Sequence, residues 1–262
     1  MKSKKKVGAI VLRVAVACLF LGGIVYSGYR IWQINEVYRE DKKIRTKLSQ
    51  YKPDLPPEVP EIIVNQGIVD MQTAYPDTVG WLVVDGTIID APFMQARDNE
   101  FYLHHDVDGK YSNIGNIFMD YRNSRDFSDF NTFIYGHNVK NSDLMFGPLY
   151  KLREKEFFDS NKTARIYLAD DILSLEIFAI AIVRPDDRIV YAMKNDTDEK
   201  KQALFDHIEQ NATNYRDIGL KTTDKIITLS GCAYEFDDAR MVVLARFTSA
   251  KTQEVHSSDP LS

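Results

Sequence analysis

Cysteine is nearly absent from this chain, which contains two cysteines in 262 residues. Cys18 lies in an apolar N-terminal run, so Cys232 is the single cysteine of the remaining sequence. A domain with one thiol cannot form an internal disulfide. Cys232 is therefore either a small buried hydrophobic residue or a reactive group.

An excess of positive charge is also missing. The net charge is −5 and the isoelectric point is near 5.6. No basic face of domain size is implied, which argues against nucleic acid as the main partner. The chain has no internal repeat, and its length suits one catalytic domain with appendages.

Metal-ligand patterns are weak. Residues 105–110 have acidic side chains at alternate positions, but Tyr111 stands where the glycine of a calcium loop belongs. His104 and His105 are adjacent, so on any regular element they point in different directions, which disfavours a zinc site. We predict no metal and no cofactor.

The N-terminus combines a basic tail, residues 1–6, with an apolar run at residues 7–29. As a helix this run would be roughly 34 Å long, enough for a bilayer core. Arg13 lies near its start, where a long side chain can reach the headgroups. The lysines favour a cytoplasmic N-terminus, so we predict a single-pass signal anchor with an extracellular catalytic domain. A cleaved signal peptide and lipoprotein processing at Cys18 are the alternatives.

Composition divides the rest of the chain. Residues 30–60 read as a helical stalk followed by a proline-rich linker, because apolar residues at near-helical spacing precede Lys52–Pro60. Residues 61–250 form the predicted catalytic domain. The polar segment 251–262 is predicted to be a disordered tail.

The catalytic domain is predicted to be mainly β, a mixed and mostly antiparallel barrel with peripheral helices. Asp85-Gly86 between residues 81–84 and 87–89 is typical of a two-residue hairpin. Further strands are predicted at 115–120, 131–137, 164–168, 173–183 and on both sides of Cys232, the pair at 164–183 turning at Asp170-Asp171. Helices are predicted near 61–75, 144–158 and 198–211.

Three residues suggest chemistry. Cys232 ends an apolar strand, and Arg240 begins the next. A thiolate needs a nearby positive charge, and a developing oxyanion needs a donor. His137 follows another apolar strand, and Gly136 before it permits an unusual turn. Side chains at the ends of strands often line a binding cleft.

These motifs resemble the sortases, and class B in particular. Thr-Leu-Ser-Gly-Cys at 228–232, followed by Arg240, resembles the signature Thr-Leu-x-Thr-Cys with its downstream arginine. Tyr135-Gly136-His137-Asn138 resembles the histidine motif of that family. Further similar stretches occur at 80–82, 98–103 and 115–122. Gly231 departs from the pattern, since threonine is usual there, and we expect the local geometry or a substrate contact to differ.

The resemblance implies a membrane-anchored cysteine transpeptidase of Gram-positive bacteria. It would cleave a C-terminal sorting signal, such as Asn-Pro-x-Thr-x, in secreted proteins and join them to a peptidoglycan amine. Cys232 would be the nucleophile, His137 the acid and base, and Arg240 the oxyanion donor. Ser230 and Tyr191 would contact the substrate. For Ser230, a hydroxyl that merely caps a turn is an equal alternative.

Other functions remain open from the sequence. A pilin-polymerising sortase would use the same three residues with a lysine amine as acceptor. A hydrolytic cysteine peptidase would differ only in using water to resolve the thioacyl intermediate. A non-catalytic, membrane-tethered binding module is the third alternative. The transpeptidase reading predicts that Cys232, His137 and Arg240 converge at one end of the barrel.

Overall fold

A computed structural model describes residues 2–53, 64–138, 142–232 and 239–248; for residues 2–17 and Cys232 it describes the backbone only. The chain divides into residues 1–44 and residues 45–262. Most of the predicted proline-rich linker and all of the predicted C-terminal tail lie outside the described residues.

The N-terminal unit is helical. Helix α1 runs without interruption through Lys2–Leu48, so the predicted membrane segment and stalk form one helix. Residues 7–17 of that predicted segment have no described side chains. Along the part of the chain that the structure describes, no helix is both long enough and apolar enough to cross a membrane.

In the described part of the second unit there are four further α-helices: α2 (Gln66–Ala74), α3 (Phe101–His104), α4 (Lys155–Ser160) and α5 (Asp198–Asn211). α2 ends just before Pro76, which cannot continue a helix. α5 begins where Thr197 accepts a hydrogen bond from the N–H of Lys200, an N-cap that satisfies one orphan donor. Its buried residues Leu204, Phe205 and Ile208 lie on one face, as the sequence pattern predicts.

Nine strands are found in the described residues. They are β1 (Thr78–Val84), β2 (Asp90–Met94), β3 (Phe118–Met119), β4 (Asn131–Tyr135), β5 (Thr163–Tyr167), β6 (Ile172–Val183), β7 (Ala212–Tyr215), β8 (Ile226–Cys232) and β9 (Arg240–Phe247). Their order is β5-β1-β2-β3-β4-β8-β9-β6-β7, and an additional β5–β6 pairing closes the first eight into a barrel. β2–β3 and β4–β8 are parallel and the other pairs antiparallel, so the predicted mixed barrel is confirmed.

The long strand β6 shows how sequence and packing agree. In its first half buried and half-buried residues alternate, because one face looks outward. From Ile177 to Ala181 every residue is buried. Here α5 packs against the strand, with Phe178 in one apolar cluster with Leu204 and Ile208, and β7 pairs along its edge. The continuous apolar run therefore marks the covered part of the strand.

Several predicted boundaries need correction. The first hairpin is present, but its turn spans residues 85–89 rather than two residues, so 87–89 is not strand. The predicted strand at 115–120 is reduced to β3. The predicted helix at 144–158 is divided into a 3-10 segment, Gly147–Arg153, and α4, because Glu154 is extended. Strand β7 was not predicted, since its four residues form only a short edge.

Strand pairing in the barrel places the predicted site residues. β4 and β8 are parallel neighbours, with Tyr135 opposite Ser230, so the two strands end at the same edge. β8 and β9 form an antiparallel pair in which Cys232 lies opposite Arg240. The ends of β4 and β8 and the start of β9 therefore meet at one end of the barrel.

Candidate active site

A cleft with a volume of about 480 Å³ opens at this end of the barrel. Its strand-end lining comes from β4, β8 and β9: Tyr135, Gly136, His137, Ser230, Gly231 and Arg240. Its remaining lining comes from neighbouring loops, α3 and β3: Asn99, Leu103, Phe118, Arg122, Pro185 and Tyr191. Four of the five predicted site residues, His137, Arg240, Ser230 and Tyr191, thus share one cleft.

The fifth predicted residue, Cys232, is the last residue of β8. Its backbone lies two residues beyond Ser230 and opposite Arg240 across the β8–β9 pair, while its side chain is outside the described part of the structure. Arg240 is half-buried, and its Nη1 donates to the carbonyl of Ala239 at 3.1 Å. A guanidinium therefore faces the cleft from the strand next to the cysteine position.

His137 is held by a backbone group. Its Nε2 lies 2.8 Å from the carbonyl oxygen of Leu103 on α3, and since a carbonyl only accepts, Nε2–H donates. In the neutral ring this tautomer leaves the lone pair on Nδ1. The sequence identified no side chain that orients His137. The group that does so is a backbone carbonyl, which cannot be recognised from sequence because every residue type carries one.

Burial is the main influence on the charge of His137. It lowers the pKa of the imidazole below its ordinary value of 6.5, and the nearby His104 lowers it further, against the opposing hydrogen bond to Leu103. The two histidine rings have centroids 6.4 Å apart. His137 is therefore mainly neutral near pH 7.

Ser230 and Tyr191 form a pair on the cleft wall. Their hydroxyl oxygens are 2.9 Å apart, and Ser230 is only 3% exposed. The Tyr191 ring stacks on Phe133 with centroids 5.9 Å apart. The loop after β6 and the end of β8 are thereby joined through two hydroxyl groups that the sequence suggested separately.

A buried carboxylate organises a second part of the cleft lining and was missed by sequence reasoning. Asp120, whose side chain is fully buried, accepts from both Nε and Nη2 of Arg122 at 2.8 and 2.7 Å. It also accepts from Asn99 at 2.9 Å and from the Tyr135 hydroxyl at 3.1 Å. The sequence feature that could have revealed Asp120 is the stretch 115–122, which resembles the family but suggested no role for this residue.

These hydrogen bonds determine the charge of Asp120. Burial alone would raise the pKa of Asp120, but the hydrogen bonds and charge of Arg122 hold it below its usual range. Burial, with the Asp120 charge and hydrogen bond, raises the pKa of the Tyr135 phenol. Asp120 thus stays ionised and Tyr135 stays a neutral donor, so one charge fixes three cleft-lining side chains.

Two glycines allow the strand exits to approach closely. A Cβ on Gly136 would lie 2.9 Å from the Phe146 ring, so Gly136 serves close packing. Its φ lies outside the left-handed region, so it does not use the conformational freedom of glycine there. A Cβ on Gly231 would lie 3.2 Å from the Gly136 carbonyl oxygen and 3.4 Å from Asn138 Cβ. A side chain at 231 would therefore press on the backbone that carries His137.

Known proteins are similar to this chain in sequence and in architecture. The sortase domain model matches residues 82–248. Sortase B of Listeria monocytogenes is 31% identical over 241 residues, covering 90% of this chain and 96% of that protein. The crystal structure of Clostridium perfringens sortase B superposes with a TM-score of 0.65 at 33% identity, covering 69% of this chain and 99% of that one.

A third relative comes from a pilus system. Sortase B from the type II pilus of Streptococcus pneumoniae is 37% identical, with a TM-score of 0.58, and the match covers 69% of this chain and 98% of that one. The chain belongs to the sortase family. Its relatives are class B sortases, so the predicted class and the predicted cysteine transpeptidase activity are confirmed.

The ring of His137 should titrate below pH 6.5, because the protonated form loses hydration in its half-buried position. NMR titration of the imidazole Cε1–H, assigned with a His137→Gln variant, measures this midpoint. The sign also applies to stability. A depressed pKa favours the folded state at pH above 6.5, and this contribution is lost as the pH falls through the folded pKa. A midpoint at or above 6.5 would contradict the described burial.

Proposed function

We propose that this sortase is a membrane-anchored transpeptidase that cleaves a C-terminal sorting signal of the Asn-Pro-x-Thr-x type and attaches the protein to a peptidoglycan amine. The observation that carries the proposal is the meeting of His137 and Arg240 in one cleft, at the edge where β8 ends in Cys232. The sortase family, to which the chain belongs, transfers proteins by such chemistry at the surface of Gram-positive cells.

Cys232 is the proposed nucleophile. Its thiolate sulfur attacks the scissile carbonyl carbon, and the carbonyl oxygen becomes an oxyanion beside the Arg240 guanidinium. Arginine remains cationic at any relevant pH, so it stabilises this charge without exchanging a proton. When the tetrahedral species collapses, the C–N bond breaks and a thioester links the substrate to the sulfur.

His137 moves the protons in this scheme. Because the ring is mainly neutral near pH 7, it must first take up a proton, from the Cys232 thiol or from solvent, before it can donate one. It gives that proton to the leaving amine. In the second half it accepts a proton from the incoming amine, which forms the new amide bond and releases the thiolate.

Ser230 and Tyr191 are proposed to contact the sorting peptide. Their paired hydroxyls lie on the cleft wall, two residues before Cys232 along β8. Asn99, Arg122 and Tyr135, which Asp120 holds in fixed positions, also line this cleft. A peptide in the cleft would therefore meet hydrogen-bonding groups from both sets of residues.

The acceptor decides among the remaining functions. Attachment to peptidoglycan requires a cross-bridge or precursor amine, whereas pilus assembly requires a lysine amine of another subunit. The pilus origin of the pneumococcal relative supports the pilin-polymerising alternative. A hydrolytic cysteine peptidase uses water instead, and a non-catalytic binding module, the least favoured alternative, would need none of the three residues.

The domain limits and membrane anchor inferred from sequence complete the proposal. A cytoplasmic N-terminal tail (1–6) leads into the anchor at 7–29, and residues 30–60 connect the anchor to an extracellular catalytic domain at 61–250. Residues 251–262 form the C-terminal tail. The basic tail and the apolar run support this arrangement. An anchor would hold the enzyme near a lipid-linked acceptor and raise its effective concentration.

The full-length chain should join an Asn-Pro-x-Thr-x peptide to an amine. The amines offered separately are oligoglycine, a diaminopimelate peptide and a lysine peptide, and mass spectrometry identifies the product. Cys232→Ala should abolish joining, while the matched control Cys18→Ala retains it. Cleavage without joining would favour the peptidase, and unchanged biological activity of Cys232→Ala would favour the binding module.

Arg240→Lys should lower kcat/KM for the same peptide by about 100-fold or more, since an ammonium cannot reproduce the guanidinium fork at the oxyanion. Arg246→Lys is the matched control, because Arg246 lies on the same strand but pairs with Glu176 at 2.7 Å outside the cleft. Near-normal turnover of Arg240→Lys would refute the oxyanion role.

Cell fractionation tests the anchor. The full-length chain should sediment with membranes and resist alkaline extraction, because its apolar run would be buried in the bilayer. A chain beginning at residue 30 should be released. Equal release of both forms would exclude residues 7–29 as an anchor.

A further inference from the structure

The loop between β6 and α5 carries two cleft residues, Pro185 and Tyr191, and folds around Asp187. The Oδ1 atom of Asp187 accepts the backbone N–H groups of Ile189 and Val190, each at 3.0 Å. Its carbonyl oxygen accepts the N–H of Tyr191 at 3.0 Å. One aspartate therefore shapes the whole turn that ends at Tyr191.

The other oxygen of the same carboxylate reaches the helix. Asp187 Oδ2 lies 2.9 Å from Nε2 of His207 on α5, and because an ionised carboxylate only accepts, Nε2–H is the donor. The side chains of Asp187 and His207 are 17% and 26% exposed, so the bond is partly shielded from water. On the exposed side of the loop Arg184 and Asp186 pair with each other at 3.0 Å.

Helix α5 is a rigid support for this bond. Leu204 and Ile208, which flank His207, are fully buried in the apolar cluster with β6. Val190 of the loop is fully buried in that cluster too. The turn is thus held at two points, by an apolar side chain and by the hydrogen bond from His207.

We propose that His207 is a positioning residue for the cleft: by holding Asp187 it fixes the turn 187–191, and with it the Tyr191 hydroxyl at Ser230. The effect on catalysis rests on the proposed function. The Tyr191–Ser230 distance of 2.9 Å leaves little tolerance, because a shift of about 1 Å breaks a hydrogen bond. His207 acts on the substrate site without touching substrate.

Steady-state kinetics of the full-length chain with a fluorogenic Asn-Pro-x-Thr-x peptide test this role. His207→Ala should raise KM about fivefold, the effect of one lost hydrogen bond, and leave kcat within about twofold. His207→Gln, whose amide nitrogen can take the place of Nε2, should restore most of the KM. Gln202→Ala is the matched control, since Gln202 is exposed on the same helix and bonds Asp206.

A double variant separates positioning from general destabilisation. If His207 acts through the Tyr191 hydroxyl, His207→Ala should add less than about twofold to KM in a Tyr191→Phe background. Additive effects of the two substitutions would overturn the proposal. So would an unchanged KM in His207→Ala, or a fall in kcat at constant KM.

Hydrogen exchange provides a readout that needs no activity. In His207→Ala the amides of Ile189, Val190 and Tyr191 should exchange about fivefold faster, whereas those of β8 should not change. If His207→Ala does not fold, His207→Asn replaces it, because its amide is too short to reach Asp187. Unchanged exchange of these amides would refute the positioning role of His207. If the wild-type chain cleaves no peptide, the proposed function fails, and hydrogen exchange still decides the role of His207.

Discussion

The parallel pairing of β4 with β8 is the constraint on which the rest of the site depends. Parallel neighbours end at the same edge of a sheet, so the turn after Tyr135 and the end of β8 cannot be separated. The buried hydrogen bond between Thr228 and Asn131, at 2.9 Å, fixes this register inside the barrel. A slip of one residue would turn Ser230 away from Tyr191.

Much of this arrangement could be predicted from the sequence because it follows from local patterns. The apolar runs at 131–137 and before Cys232 predicted both strands, although β4 ends at Tyr135, and the periodicity at 198–211 predicted α5 with its bounds. The family motifs then named His137 and Arg240. The sequence could not show that β4 and β8 are neighbours, since strand pairing is decided by tertiary contacts between distant segments.

Other features of the site escaped prediction for physical reasons. The Leu103 carbonyl that holds His137 is a backbone group and leaves no trace in residue type. Asp120 reads as an ordinary polar residue after a short strand, yet burial makes it a hub, because a buried carboxylate is tolerated only when charge and hydrogen bonds compensate it. Gly136 was correctly noticed, but its reason is the Phe146 ring rather than a special turn.

The β4–β8 pairing also has a consequence for how the chain acquires its fold. Asn131 and Thr228 are 97 residues apart in sequence, so the contact that aligns the site is among the most non-local in the barrel. Pairing of this kind requires a long loop to close, and the entropy of closure is lost before the stabilising contacts form, which slows folding. Until β8 has emerged from synthesis, β4 has an open edge toward the missing strand, and such an edge can pair with another chain. The end of the barrel that carries the candidate site is therefore assembled late, when the last two strands are added.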